Sequence, residues 1–143
     1  MKTVRQLLDG KRLGVLAITP DSSVYDALQT MADHEVGALL VMDGERLIGI
    51  FSERDYARKI ILHGKASKET AVREIMTSKV ICVRPEQTVE DCMALMTDKR
   101  IRHLPVVKDT RVIGVLSIGD LVKAVIDEQR EEIEQLQRYI AGG

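Results

Sequence analysis

Gly49-Ile50-Phe51-Ser52-Glu53-Arg54-Asp55 returns later in the chain as Gly114-Val115-Leu116-Ser117-Ile118-Gly119-Asp120. In each stretch a glycine sits in an apolar run that ends at a serine, and an aspartate follows three residues on. The correspondence extends well beyond these segments. Shifted by about 65 residues, Val15 to Tyr56 lies on Val80 to Leu121 without a gap, with about a dozen identities that include Pro20/Pro85, Asp26/Asp91, Leu39/Leu104, Val41/Val106 and Ile48/Ile113. A repeat of this kind is one supersecondary unit used twice. A short helix-like piece stands ahead of each copy, Val4 to Leu8 and Val72 to Met76. The linker after the first is about three residues longer, and the insertion, Gly10-Lys11-Arg12, has the composition of a surface loop.

Inside each copy the pattern reads β-α-β-β-α. Val15-Leu16-Ala17-Ile18-Thr19 and Val80-Ile81-Cys82-Val83-Arg84 are expected strands, each stopped by a proline. Ser23 and Thr88 then offer hydroxyl caps, with Asp26 and Asp91 three residues on at the positive end of a helix. Apolar residues follow at helical spacing: Val24, Ala27, Leu28 and Met31, then Val89, Cys92, Met93 and Met96. Two hairpins come next, Ala38 to Met42 with Leu47 to Phe51, and Leu104 to Val107 with Val112 to Leu116, turning at Asp43-Gly44 and Lys108-Asp109. A second helix is expected to start near Ser52 and Ser117. A unit of roughly 60 residues is marginal alone, and a small sheet with helices on one face leaves apolar surface on the other. The two copies are therefore expected to pack about a pseudo-twofold axis, with clefts at their junction.

Composition narrows the function. The 143 residues carry 30% charged side chains but a net charge of −1, so there is no general basic excess to neutralise phosphates of a nucleic acid. No tryptophan, one phenylalanine and three tyrosines leave few platforms for stacked bases. The longest apolar runs, such as Ala38 to Met42, fall far short of the ~20 residues that span a bilayer. The N-terminus has no secretion-signal run, and a cytoplasmic address is expected. Cys82 and Cys92 have no histidine at ligand spacing and are expected to be reduced thiols in the core. No nucleophile elbow and no phosphate loop appear, and the histidines and carboxylates are too scattered for a metal site. Neither an enzyme nor a metal protein is expected.

The Ser-x-x-Asp pair has two compatible readings. An aspartate one helical turn from a serine can accept hydrogen bonds from both vicinal hydroxyls of a ribose, while a strand glycine lets a flat ligand approach the backbone. The same pair can simply cap the following helix, as Ser23 and Thr88 do.

The strand ending in proline, the Leu104-Pro105-Val106-Val107 strand and Gly-x-x-Ser-x-x-Asp in both copies resemble the cystathionine β-synthase (CBS) domain, whose tandem pair is a Bateman module. The resemblance runs from about Val4 to Ile126. It implies an α/β (α+β) fold of two pseudo-symmetric βαββα repeats packed through their sheets, followed by a C-terminal helix. The repeats with their leading helices then span 1–66 and 67–126, and the tail 127–143. It further implies a non-catalytic regulatory protein, of the stand-alone bacterial type, that senses energy or redox state through AMP, ADP, ATP or NAD, with S-adenosylmethionine the less favoured ligand.

On that resemblance Ser52 with Asp55, and Ser117 with Asp120, hold ribose. Gly49 and Gly114, together with the backbone at Ala17, Ile18 and Thr19 and at Cys82, Val83 and Arg84, cradle adenine. Arg102 and His103, with Arg54, Arg58 and Lys59, are the candidates for phosphate. Many relatives carry Ser or Thr where this chain has Ala17 and Cys82, and Arg102-His103 stand opposite Gly37-Ala38, so the two clefts are expected to differ. The tail places Leu121, Val122, Val125, Ile126, Ile133, Leu136 and Ile140 on one continuous helix. Such a helix needs a partner surface, either its own domain or a second copy in a homodimer. An unidentified protein effector completes the expected partners. A dimerising scaffold with degenerate clefts, or a local basic patch for nucleic acid at Arg54, Arg58, Lys59 and Arg102, are the rival readings.

Overall fold

The computed structural model describes residues 2–10 and 15–142; Lys11 and Arg12 of the expected insertion lie outside them. The order is α1 (Val4–Asp9), β1 (Ala17–Ile18), α2 (Val24–His34), β2 (Ala38–Asp43), β3 (Arg46–Ser52), α3 (Glu53–Asp55) running into a π-helical turn (Tyr56–Ile61), a 3-10 turn (Val72–Glu74), α4 (Val89–Lys99), β4 (His103–Lys108), β5 (Arg111–Ser117) and α5 (Ile118–Ala141). The expected caps form. Ser23, Ser52, Thr88 and Ser117 each accept a hydrogen bond from the backbone N–H of the aspartate three residues on, and in the last three the aspartate returns one to the cap's own N–H.

The repeat survives in fine detail. α2 and α4 both end on a left-handed residue, Glu35 and Arg100, at corresponding positions. The hairpins β2–β3 and β4–β5 carry irregularities at Val41/Met42 and at Val106/Val107, again equivalent. Their turns differ. Gly44 alone has positive φ in the first, whereas Asp109 and Thr110 both do in the second, the φ signature of a type I′ turn.

The strand expected before each proline is much reduced. In the first copy only Ala17–Ile18 pairs, parallel to Leu40 and Val41, giving a three-stranded sheet β1-β2-β3. In the second, Val83 makes one isolated parallel bridge to Val106 and the sheet has two strands, β4-β5. The reason lies in the partner strand. Leu40 donates its N–H to the Leu16 carbonyl at 3.2 Å, but the equivalent position in β4 is Pro105, which has no N–H to give.

This shortfall also corrects the expectation for one cysteine. Cys82, in the stretch that does not form a strand, is exposed, while Cys92 is buried on α4; neither is in a disulfide. Although Cys82 as a residue is exposed, its thiol is partly buried, and that burial pushes it above its ordinary pKa. Burial, then the neighbouring Asp91 carboxylate, pushes the Cys92 thiol up to about 11.

Two cores form, one per repeat, and each takes its leading segment from the other part of the chain. Val4 packs with Val83, Val89, Cys92, Met96, Leu104, Val106, Leu116, Leu121 and Ala124, so α1 belongs to the second core. Val72 and Ile75 pack with Val24, Ala27, Met31, Leu39, Val41, Phe51 and Ile60, so the linker belongs to the first. Backbone bonds repeat the exchange: Val4 N–H to Gln87 O at 2.8 Å, and Val72 N–H to Ser22 O at 2.8 Å. Each packed core thus draws on both of the expected stretches, 1–66 and 67–126.

α5 starts on the second core, where Leu121 and Ala124 are buried, and then leaves it. Val122 and Ile126 are 43% exposed, and Ile133, Leu136 and Ile140 are 53%, 62% and 78% exposed. No helix among the described residues is long and apolar enough to cross a membrane.

Candidate functional site

Between the two sheets lies a cleft of about 520 Å³. Repeat 1 contributes Leu16 and the run Glu35 to Leu40, with Ile50 from β3. Repeat 2 contributes His103, Ile113, Gly114, Val115, Ser117 and Asp120, and Leu8 of α1 closes one side. The volume is that of a small-molecule site, with an apolar lining and a few converging polar groups. Ser117 Oγ accepts from the Asp120 N–H at 3.2 Å, and Asp120 Oδ2 accepts from the Ser117 N–H at 2.7 Å. The capping box therefore fixes the rotamers of both side chains at the cleft wall, and the capping and binding readings of Ser-x-x-Asp are compatible here. The glycine matters for space: a Cβ on Gly114 would stand 2.5 Å from Leu8 Cδ2.

The equivalent pair in repeat 1 has a different environment. Asp55 is 7% exposed. Its Oδ2 accepts from Ser52 N–H at 3.0 Å and Ser52 Oγ at 3.1 Å; its Oδ1 accepts from Thr77 Oγ1 at 3.1 Å and pairs with Lys59 Nζ at 3.3 Å. A carboxylate offers about four lone-pair sites, and four donors meet this one. Beside it, Ile50 and Thr77 exchange backbone hydrogen bonds of 2.9 Å in both directions. Met76 lies against Gly49, where a Cβ would stand 2.5 Å from its Sδ and 3.1 Å from the Thr77 carbonyl oxygen.

The expected site residues therefore divide. Gly114, His103, Ser117 and Asp120 share the open cleft. Gly49, Ser52, Asp55 and Lys59 sit together beneath the linker. Arg54 and Arg102 meet elsewhere, with Arg100, around a shallow depression of about 260 Å³ that Met96, Thr97, Ile101 and Ile118 complete. Arg54 Nη1 donates to the Arg100 carbonyl at 2.7 Å. Arg58 is exposed on the π-helical turn. Of the segments named for adenine, Val83 is buried in the second core, Ala17, Thr19, Cys82 and Arg84 are exposed and Ile18 is half-buried; none of these lines the open cleft, although Leu16 does. Missed by sequence reasoning were Leu8, the Glu35 to Leu40 run, and the pair Met76-Thr77. The 65-residue correspondence already set Gly37-Ala38 opposite Arg102-His103, and that was the available signal for the Glu35 to Leu40 run. Among the described residues no group of three or more His, Cys, Asp or Glu is placed to hold a metal ion.

Comparison with known proteins gives the same architecture. The CBS domain family matches twice, over residues 11–62 and 72–127. A CBS domain-containing protein of Arabidopsis thaliana, CBSX3, named as mitochondrial, is 50% identical over 148 residues, covering 100% of this chain and 70% of that protein. A CBS-domain protein structure from Burkholderia ambifaria is 51% identical with a TM-score of 0.86, covering 90% of this chain and 96% of that one. The CBS domain protein PAE2072 of Pyrobaculum aerophilum, solved in complex with AMP, shares the fold at 23% identity and a TM-score of 0.74, covering 83% and 89%. With two family matches that between them take in most of the chain, this protein belongs to the CBS-domain family as a tandem pair of repeats.

Proposed function

We propose that this chain is a non-catalytic regulatory module that binds an adenosyl ligand in the cleft at Ser117 and Asp120. The observation that carries the reading is the composition of that cleft: one wall from each repeat, with a pre-oriented carboxylate on one of them. Asp120 accepts ribose hydroxyls, the Gly37 to Leu40 backbone flanks the base, and His103 lies within reach of a polar tail. A ligand touching both walls favours the arrangement in which both sets of contacts form, which is a population shift that a partner protein can read. AMP, ADP, ATP and NAD fit this chemistry, which supports energy or redox sensing. The AMP complex of the Pyrobaculum protein agrees with that ligand class while bearing on this chain only through the fold. The proposed address is cytoplasmic, although the Arabidopsis relative is named as mitochondrial. The exposed apolar side of α5 favours association of two copies as a second, compatible role.

The test is thermal unfolding of nucleotide-stripped protein against AMP, ADP, ATP, NAD and S-adenosylmethionine, with Asp120→Ala alongside. A native-state ligand at a hundred times its Kd adds about 2.7 kcal/mol. Selective stabilisation that disappears in Asp120→Ala is expected. No shift with any of the five would leave association through α5 as the better account.

A further inference from the structure

The last turns of α5 stand clear of the protein. Ala124 is the last buried residue of the helix, and from Gln129 to Ala141 every side chain is exposed. An isolated helix of roughly three and a half turns is marginal in water. This one carries its apolar residues in a fixed order. Val122, Ile126, Gln129, Ile133, Leu136 and Ile140 follow one another at intervals of four, three, four, three and four residues, and all of them are exposed. That alternation is the 3.5-residue repeat of a coiled-coil seam, narrower than the stripe with which a helix covers its own core. The core-facing stripe is separate, because Leu121 and Ala124 point to another side of the helix and are buried there.

The pattern also selects the occupant. Read as heptads, Ile126, Ile133 and Ile140 take position a, and Val122, Gln129 and Leu136 take position d. Isoleucine at a with leucine at d favours two parallel strands, and a lone polar residue in the seam fixes their register. Gln129 meets its own copy only when the two helices run parallel and in register, where the two amides can hydrogen-bond each other. Turned antiparallel over the same length, the helices set Gln129 against the partner's Ile133 and leave the amide on an apolar side chain. The flanking charges agree. The antiparallel pair brings Arg130 onto Arg130 and Glu132 onto Glu132 at its centre, whereas the parallel pair sets Glu132 beside the partner's Gln137, an amide donor to a carboxylate, and lays the Arg130 stem along the partner's Val125.

We infer that α5 from Val122 to Ile140 is one strand of a parallel, in-register, two-stranded coiled coil whose other strand is α5 of a second copy of this chain. The inference rests on the reading of α5 as an association surface and commits that surface to one geometry. The same helix opens with the Ser117 cap and Asp120 at the wall of the cleft. Parallel pairing therefore puts the clefts of both copies at the same end of one rod.

The experiment is sedimentation velocity of the full chain over a concentration series, beside Ile133→Glu with Leu136→Glu, together with disulfide trapping in a Cys82→Ser background, where the buried Cys92 thiol is the unreacted control. Both glutamates replace side chains that are exposed in one protomer, so the repeats fold without them. The expected result is a dimer whose Kd rises at least a hundredfold in the double variant. Leu136→Cys is expected to link to itself on mild oxidation, whereas Arg138→Cys, on the outer side of the helix, is not. Gln129→Leu is expected to tighten the dimer at least tenfold, because a seam amide fixes register at a cost in stability; a weaker dimer refutes the assigned register. Linkage of Leu136→Cys to Ile126→Cys in a mixture of the two chains, without self-linkage, would show an antiparallel pair and overturn the parallel coil while leaving association through α5 standing. A dimer untouched by the two glutamates, or a chain that stays monomeric at every concentration, would overturn the coil and the association surface together.

Discussion

Repeat 1 has the fuller sheet and a buried motif aspartate, Asp55; repeat 2 has the poorer sheet and a motif aspartate, Asp120, that lines the cleft. A single substitution separates the sheets, Leu40 against Pro105, because only the first can donate to the strand beside it. The clefts differ through what lies in front of each copy. Met76-Thr77 precedes repeat 2 in the chain but packs on repeat 1 and reaches Asp55, so the same Ser-x-x-Asp is a buried hydrogen-bond hub in one half and a cleft wall in the other. Identical motifs therefore acquire different work from segments outside them.

The comparison is sharpest in the cores. Phe51 and Leu116 occupy equivalent, fully buried positions. Phe51→Ala is expected to cost about 4 kcal/mol and Leu116→Ala about 3 kcal/mol, and because each core borrows a segment from the other part of the chain, both variants should unfold in one transition by denaturant titration. Two separated transitions would show that the halves are independent.

The aspartates come next. Asp55→Ala removes the acceptor shared by the Thr77 hydroxyl and the Ser52 N–H and the anion paired with Lys59, and is expected to lower stability by about 2 kcal/mol without ligand. Asp120→Ala is expected to cost at least the cap of α5, about 1 kcal/mol. Equal costs would remove the distinction drawn between hub and wall.

The glycines follow. A Cβ at Gly49 meets a side chain and the Thr77 backbone oxygen at 3.1 Å, whereas at Gly114 the three nearest atoms all belong to the flexible Leu8 side chain. Gly49→Ala is expected to destabilise by about 2 kcal/mol and Gly114→Ala by about 1 kcal/mol, read from the midpoints of chemical denaturation. The smallest effect has the opposite sign. Thr110 is a β-branched residue at φ 69°, one place beyond Asp109, the counterpart of Gly44, the other hairpin's left-handed residue. Thr110→Gly relieves that conformation and should stabilise by about 1 kcal/mol; a loss of stability would mean that the threonine side chain contributes more than its backbone costs.

Much of this fold was legible because its signals are local. The four caps lie within four residues of the aspartates that answer them, and each hairpin's register follows from its own turn and alternation. The strand before each proline was over-read because its pairing depends on a residue more than twenty positions away, Leu40 or Pro105, and β-branched composition says nothing of whether a partner N–H exists. The site was legible as to residue type and not as to accessibility. Ser52/Asp55 and Ser117/Asp120 read alike in sequence, and nothing local announces that Thr77, 22 residues beyond Asp55, will return to it. The cysteines show the same limit: Cys92 sits on a periodic helix stripe and is buried, whereas Cys82 was placed by a strand that does not form.

The exchange of leading segments also sets a load path. Tension applied at the amino end does not reach repeat 1 first. It arrives at the contacts of Thr3 and Val4 with Thr88 and Gln87, and peeling α1 away would pull Val4 out of the far core and Leu8 out of the open cleft together. A tug on one end of the chain would thus uncover the pocket at the other half.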